Sequence, residues 1–383
     1  MGMSLLVCKQ TRPSLSIPTG SGRIIGVRPQ KEKVVVVMGA TGAGKSRLSI
    51  DLATRFRAEI VNSDKMQVYK GLDIVTNKIN DEESRRVPHH LLGIIDPNSD
   101  FTATDFCDLA SLSLKSIVNR GKLPIIVGGS NSYIEALIDN EDFDFRSRYD
   151  CCFLWVDVSM TVLHSFISKR VDRMVEAGMV DEVRSIFDPN ADYSRGIRRA
   201  IGVPEFDRYF RAETFSDDDD QENHARLLEE AIQAIKDNTC ELACRQLEKI
   251  YRLRNVKRWK VHRLDATDVF TKRGKEADEA WEKLLAVPIM IVQRFLYNVG
   301  PEVYNGTRKT SREAGMGLGK EGRQANQHVT DALTVHLLQP PATILFNRCF
   351  TVSMPVPMPM PMLVPVSMAS SMTIIIRGRR GGR

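Results

Sequence analysis

The hydrophobic positions change their period along the chain. Residues 34–37 are four consecutive valines followed by Met38, the run expected of a strand buried on both faces. Short apolar runs recur at 59–61, 123–127 and 153–158, and each reads as a further strand. Over residues 45–57 Leu48, Leu52 and Phe56 stand at helical spacing with Ile50 and Ala53 beside them, so a helix opens soon after the first strand. Strands alternating with helices predict βαβ units and a mostly parallel sheet. Beyond Ser159, Leu163, Phe166, Ile167, Val171, Met174 and Val175 form one helical stripe that Gly178 interrupts. A second helix is expected over 180–187, an exposed acidic loop at 217–220, and one or two long helices over 224–260.

After about residue 298 this periodicity decays into polar, Gly-rich sequence, then VSMPVPMPMPMLVPVSM at 352–368. Alternating Pro and Met suits neither a helix nor a ladder, so the stretch is expected to be disordered or extended. Residues 299–383 hold seven of the fifteen methionines and eight of the seventeen prolines, a composition not selected to fold with the rest. Four segments follow: 1–30 before the core, an α/β core over 31–160, a helical region with remaining core elements over 161–298, and the low-complexity tail.

Composition narrows the class. A chain of 383 residues, 42% apolar and 27% charged, has ample material for a packed core and is not wholly disordered. No run of about eighteen apolar residues is present, so no spanning helix is expected. The seven cysteines are an odd number without a CxxC pair, which argues against a disulfide framework or structural zinc. The net charge of +6 resides in the flanks: residues 1–30 carry four basic and no acidic residues, and 299–383 carry ten basic and four acidic. Subtracting both leaves 40 basic against 44 acidic residues in the body, a poor surface for a polyanion. Ser4, Ser14, Ser16 and Ser21 among dispersed arginines have the composition of an organellar transit peptide, with a plastid as the expected address. A mitochondrial or a disordered cytosolic segment is the alternative.

Candidate chemistry begins where the first strand ends. Residues 39–46, GATGAGKS, satisfy GxxxxGK[ST] between a strand and a helix. Gly39, Gly42 and Gly44 let the loop wrap inward, with Ala40, Thr41 and Ala43 between them, so that backbone N–H groups converge on phosphate oxygens. Lys45 adds a full positive charge, and the Ser46 hydroxyl suits a phosphate-bound magnesium ion. The fold class expected is therefore a P-loop NTPase-like parallel sheet flanked by helices, with a smaller helical subdomain and a disordered tail. Such a loop serves kinases, hydrolases and transferases alike. Asp64 follows the second strand, on the same carboxyl edge of the sheet; as an isolated aspartate it would read as a cap or turn residue.

Several motifs in order go further: GATGAGKS, NSDKMQVYKGLDIVTNK, LPIIVGGSNSYIEAL, RVDRMVEAGMVDEV and RRAIGVPEF. Over about residues 31–265 the chain resembles the isopentenyltransferase family, most closely its plant adenylate isopentenyltransferases, which make cytokinins. The resemblance implies that the loop holds the diphosphate of dimethylallyl diphosphate while an adenosine nucleotide enters from the other end. No phosphoryl group moves: the exocyclic amine of adenine attacks the allylic carbon and diphosphate leaves. It implies that Asp64 accepts the amine proton and that Thr41 bridges the isoprenoid diphosphate close to Asp64. It also implies that Lys45, magnesium and Arg199 stabilise the leaving group. Arg198 is adjacent to Arg199 and easily confused with it. Many members carry an aromatic residue where Val203 stands here, and Pro204 predicts an extended Val203.

Ser130 and Ser132, in the loop after the 123–127 strand, are nucleotide contacts or helix caps. Asn77 and Lys78 resemble the branch that accepts free nucleotides. The basic run from Arg252 through Arg263 around Trp259 reads as a solvated helix face. The expected reaction is dimethylallyl transfer to ATP, ADP or AMP by a monomer without nucleic-acid or membrane partners. A tRNA dimethylallyltransferase and a P-loop small-molecule kinase are the alternatives. The acidic body and the lack of a C-terminal C-x-x-C…H-x₃₋₅-H finger argue against tRNA.

Overall fold

Four valines in sequence leave a strand no polar face, so it can only lie inside a sheet covered on both sides. In the computed structural model, which describes residues 30–140, 143–215 and 221–297, Val34 to Val37 are all fully buried in β1 (Glu32–Gly39). β1 pairs along its whole length with β5 (Tyr149–Asp157) and on its other side with β4 (Leu123–Val127). β2 (Ala58–Asn62) lies beyond β4, with Asn62 opposite Val127. The short β3 (His89–His90) and β6 (Val261–Asp265) complete one parallel sheet of order β3-β2-β4-β1-β5-β6.

Parallel neighbours require crossovers, and helices supply most of them. The helices are α1 (Lys45–Phe56), α2 (Asp81–Ser84), α3 (Ala103–Asn119), α4 (Asn131–Asp139), α5 (Phe145–Arg148), α6 (Met160–Glu176), α7 (Met179–Arg184), α8 (Asp207–Phe215), α9 (Gln221–Asn255), α10 (Thr267–Thr271) and α11 (Lys275–Tyr297). α1 packs on β1, β2 and β4, α9 reaches β1, α4 and α6, and α11 lies against β5 and β6. No helix among the described residues is long and apolar enough to cross a membrane. The five cysteines described are all free thiols.

The strands expected at 34–38, 59–61, 123–127 and 153–158 are present, and the α/β class holds. β3 and β6 were not anticipated. β3 is two residues long, and β6 buries only Leu264, so neither carries a periodic signal. Residues 224–260 are not helical throughout: α9 is one helix that ends at Asn255. The basic run is accordingly not one helix face. Arg252 and Lys257 pair with Glu135, Arg263 pairs with Asp157, and Trp259 is buried against Phe153. The second helix ends at Arg184 rather than near 187. The transit segment, the acidic loop at 217–220 and the tail lie outside the described residues.

The ends of β2 and β4 are stitched to each other. Ser63 N–H donates to Val127 O at 2.7 Å, and Ser130 N–H donates to Ser63 O at 3.2 Å. Gly128 makes this approach possible, since a Cβ there would lie 1.9 Å from Ser63 O. Gly128→Ala is expected to displace Ser63 and to destabilise the fold by about 1–3 kcal/mol, as overpacking does. Urea unfolding reads the change, and an unaltered midpoint would contradict this packing.

Candidate active site

The loop after β1 turns because its glycines take backbone conformations that side chains oppose. Gly44 has φ 92° at the start of α1, and Phe270 and Trp281 cover it from α10 and α11. Lys45 is half-buried, and its Nζ donates to Ala40 O at 2.8 Å. Burial pushes its pKa down to about 8, with nearby Asp64 opposing the fall and Arg170 adding to it. Two side chains from outside the loop hold Thr41. Gln246 Oε1 accepts its backbone N–H at 2.7 Å, and an Arg170 Nη donates to its hydroxyl at 3.1 Å. Arg170 is itself half-buried, with a pKa lowered to about 10 by desolvation, and its buried Nε has no partner among the described residues. Two desolvated cations thus flank one loop, an arrangement that favours an anion entering it.

Asp64 lies just past the end of β2. Its Oδ1 accepts the N–H groups of Met66 at 2.9 Å and Gln67 at 3.3 Å, so the turn-capping reading of this residue is correct for one oxygen. No described residue hydrogen-bonds the other oxygen. A cavity of about 1820 Å³ joins Asp64 to the loop, and Thr41, Gly42, Gly44, Lys45 and Ser46 line it. Asn77, Lys78, Ser130 and Arg199 line it as well, whereas Gly39, Ala40, Ala43 and Ser132 do not. Ala40 and Ala43 are buried behind the loop.

Beyond Asp64 the cavity wall is basic. Lys65 has a pKa lowered first by burial and then by Arg199 and Lys249, and its ammonium stands 5.0 Å from the centre of the Tyr133 ring. Ser130 Oγ accepts Lys65 N–H at 3.0 Å rather than capping α4. Lys78 is tied to Asp73 at 3.0 Å with a side chain only 6% exposed, so it braces its own loop. Glu182 holds that loop from α7 by accepting the N–H groups of Ile74 and Val75 at 3.0 and 2.8 Å. Arg198 is engaged by Asn98 and Ile186 O, while Arg199 faces the cavity near the Tyr69 hydroxyl at 3.5 Å. Arg170 is thus a second cation in contact with the phosphate loop beside Lys45, and Arg199 lines the same cavity as both. Val203 is helical at φ −100°, ψ −57° rather than extended, because Pro204 opens a 3-10 turn.

The IPP transferase family model matches residues 67–147 and 140–251. The chain is 59% identical over 310 residues to adenylate isopentenyltransferase 3, chloroplastic, of Arabidopsis thaliana, covering 78% of this chain and 91% of the relative. It is 64% identical over 270 residues to adenylate isopentenyltransferase 5, chloroplastic, of the same plant, covering 70% and 81%. The chain belongs to the IPP transferase family. Among solved structures, the full-length tRNA isopentenylpyrophosphate transferase of Bacillus halodurans superposes with a TM-score of 0.56 at 28% identity, covering 70% of this chain and 99% of that one.

In this IPP transferase Arg170, Gln246 and Lys65 are cavity residues to which the sequence motifs assign no role. Arg170 left a trace, since it interrupts the buried stripe of Leu163, Ile167 and Val171 with a charge. Gln246 lies next to buried Leu247 on α9 and Lys65 next to Asp64; neither position is unusual in sequence. Because Lys45 is charged below about pH 8 and neutral above it, affinity for inorganic diphosphate should fall as pH rises through that value. Calorimetric titration at pH 7 and pH 9 measures the fall, which Lys45→Met should abolish. Equal affinity at both pH values would show that the ammonium is not the anion's partner.

Proposed function

We propose that the chain is an adenylate isopentenyltransferase. It transfers the dimethylallyl group of dimethylallyl diphosphate to the exocyclic amine of adenine in ATP, ADP or AMP, releasing diphosphate in the first step of cytokinin biosynthesis. The observation that carries this reading is Asp64, with one oxygen tied to backbone and the other unpaired, in the cavity that also contains the phosphate loop. The diphosphate of the donor occupies the loop, where Lys45 and Arg170 meet the charge that develops as the C–O bond breaks. Their attraction grows as the bridging oxygen becomes anionic, so it lowers the barrier more than it tightens ground-state binding.

The adenine amine is a weak nucleophile because its lone pair is delocalised into the ring. As nitrogen bonds to the allylic carbon, the free oxygen of Asp64 accepts a proton from it, a contribution of roughly a hundredfold to ten-thousandfold. Lys65 and Arg199 line the cavity together with Asp64, which supports an acceptor that brings its own phosphates. Among the described residues no His, Cys, Asp or Glu cluster is arranged to hold a metal. The exposed Ser46 hydroxyl at the cavity suits magnesium, which takes most of its ligands from water and substrate phosphates. When bound, the ion would neutralise the donor's diphosphate.

A tRNA acceptor is the second reading, and the name of the Bacillus relative favours it. The two Arabidopsis relatives are nearer at 59% and 64% identity, and both are named for adenylate. Their names are also chloroplastic, which with the composition of residues 1–30 supports a plastid address.

Incubation with dimethylallyl diphosphate and labelled ATP should yield prenylated nucleotide and inorganic diphosphate. Label appearing as phosphate on another acceptor would identify a kinase instead. Asp64→Asn should lower kcat by roughly a hundredfold or more with the donor KM nearly unchanged. Parallel loss of donor binding and rate would make Asp64 structural.

A further inference from the structure

Gln246 stands between the two ends of the cavity and has one half of its side chain uncommitted. Its Oε1 accepts the Thr41 backbone N–H at 2.7 Å. A backbone nitrogen can only donate, so this contact fixes which end of the carboxamide is oxygen and which is nitrogen. Nε2 must then point toward Gly129, where a Cβ would lie 2.3 Å from it. The absence of a side chain at Gly129 is what leaves room for the amide. Asn131, only 2% exposed, donates to the backbone oxygen of Gln246 at 3.1 Å and holds this turn of α9 against the loop.

The uncommitted Nε2 lies beside Gly129 in the cavity that Asp64 also lines. Gly129 and Gln246 line the cavity with Asp64, and Gly128 and Ser130 on either side of Gly129 are packed on Ser63 and Lys65. Nε2 meets no acceptor among the described residues. A carboxamide whose oxygen is occupied offers only N–H donors, and a carboxylate offers only acceptors. Adenine carries the complementary pattern: a donor amine at C6 flanked by acceptor nitrogens at N1 and N7. Guanine puts a carbonyl oxygen at C6, which would set one acceptor against another at the carboxylate of Asp64.

We propose that Gln246 is a specificity-determining residue whose Nε2 donates to a ring nitrogen beside the exocyclic amine of the acceptor purine, while Asp64 accepts from the amine itself. The pair reads adenine from one edge and turns the amine toward the donor. The bond from Gln246 Oε1 to Thr41 ties the orientation of that base to the seating of the phosphate loop. This inference rests on the adenine acceptor proposed above.

The test compares ATP, 1-deaza-ATP and 7-deaza-ATP as acceptors for the wild type and for Gln246→Glu. The variant retains an acceptor for Thr41 N–H and replaces the donor with an oxygen. In the wild type one of the two analogues should lose about tenfold or more in kcat/KM, the effect of one hydrogen bond to a site built for it. In Gln246→Glu that penalty should shrink to about twofold or less, and ATP itself should lose about tenfold. Changes in amine reactivity caused by the missing nitrogen are the same for both enzymes and cancel in the cycle. Should the glutamate variant be too slow to assay, Gln246→Met removes the donor without the added charge, and although it also releases Thr41 N–H the ratio of analogue to ATP remains the readout. Acceptance of both analogues as readily as ATP by the wild type would overturn the proposal, and so would penalties that persist unchanged in the variants. Failure of the wild type to prenylate ATP at all would instead remove the adenylate reading on which it rests.

Discussion

The parallel register of β1, β4 and β2 is the constraint on which the site depends. It sets Val37 beside Val127, and Val127 beside Asn62, so the loops that follow all three strands emerge at one edge. The carboxyl ends of parallel strands are where an open α/β sheet leaves room for ligands. Here that edge carries the phosphate loop after β1, Asp64 after β2 and the Gly128–Ser130 turn after β4. A shift of one residue would turn each of these side chains to the opposite face. Valines buried on both faces do not by themselves fix that register; the contacts at the strand ends do, where Ser63 N–H donates to Val127 O and Gly128 lies directly against Ser63 O.

Within that frame the chemistry is set by desolvation. Lys45 and Arg170 are partly withdrawn from water beside one loop, and both have pKa values pulled down by desolvation. A folded protein tolerates this because an anion between them restores the favourable interactions that burial removes. Asp64 contributes an opposite charge from across the cavity without forming a salt bridge to either. The site can thus hold a diphosphate and still present a carboxylate to a second substrate.

The phosphate loop was legible because its glycines and Lys45 form a local signal in eight consecutive residues. Asp64 needed the strand pattern as well, since an aspartate acquires its place only from the end of β2. Arg170 and Gln246 were not assigned roles because their partner, Thr41, is 129 and 205 residues away in sequence. Their contacts arise from the packing of α6 against α9, which periodicity does not specify. The same limit explains Arg199: adjacency in sequence to Arg198 could not show that one is engaged by Asn98 and the other faces the cavity. β3 and β6 were missed for a different reason, being edge strands too short or too polar to alternate.

The most direct measurement is a crystal structure with ATP and a thiolodiphosphate analogue of the donor. The account predicts the analogue's diphosphate on residues 39–46, and the adenine amine about 2.6–3.2 Å from the free carboxylate oxygen of Asp64. A purine bound elsewhere, or a phosphate loop filled by the nucleotide's own phosphates with Asp64 turned from the base, would contradict it.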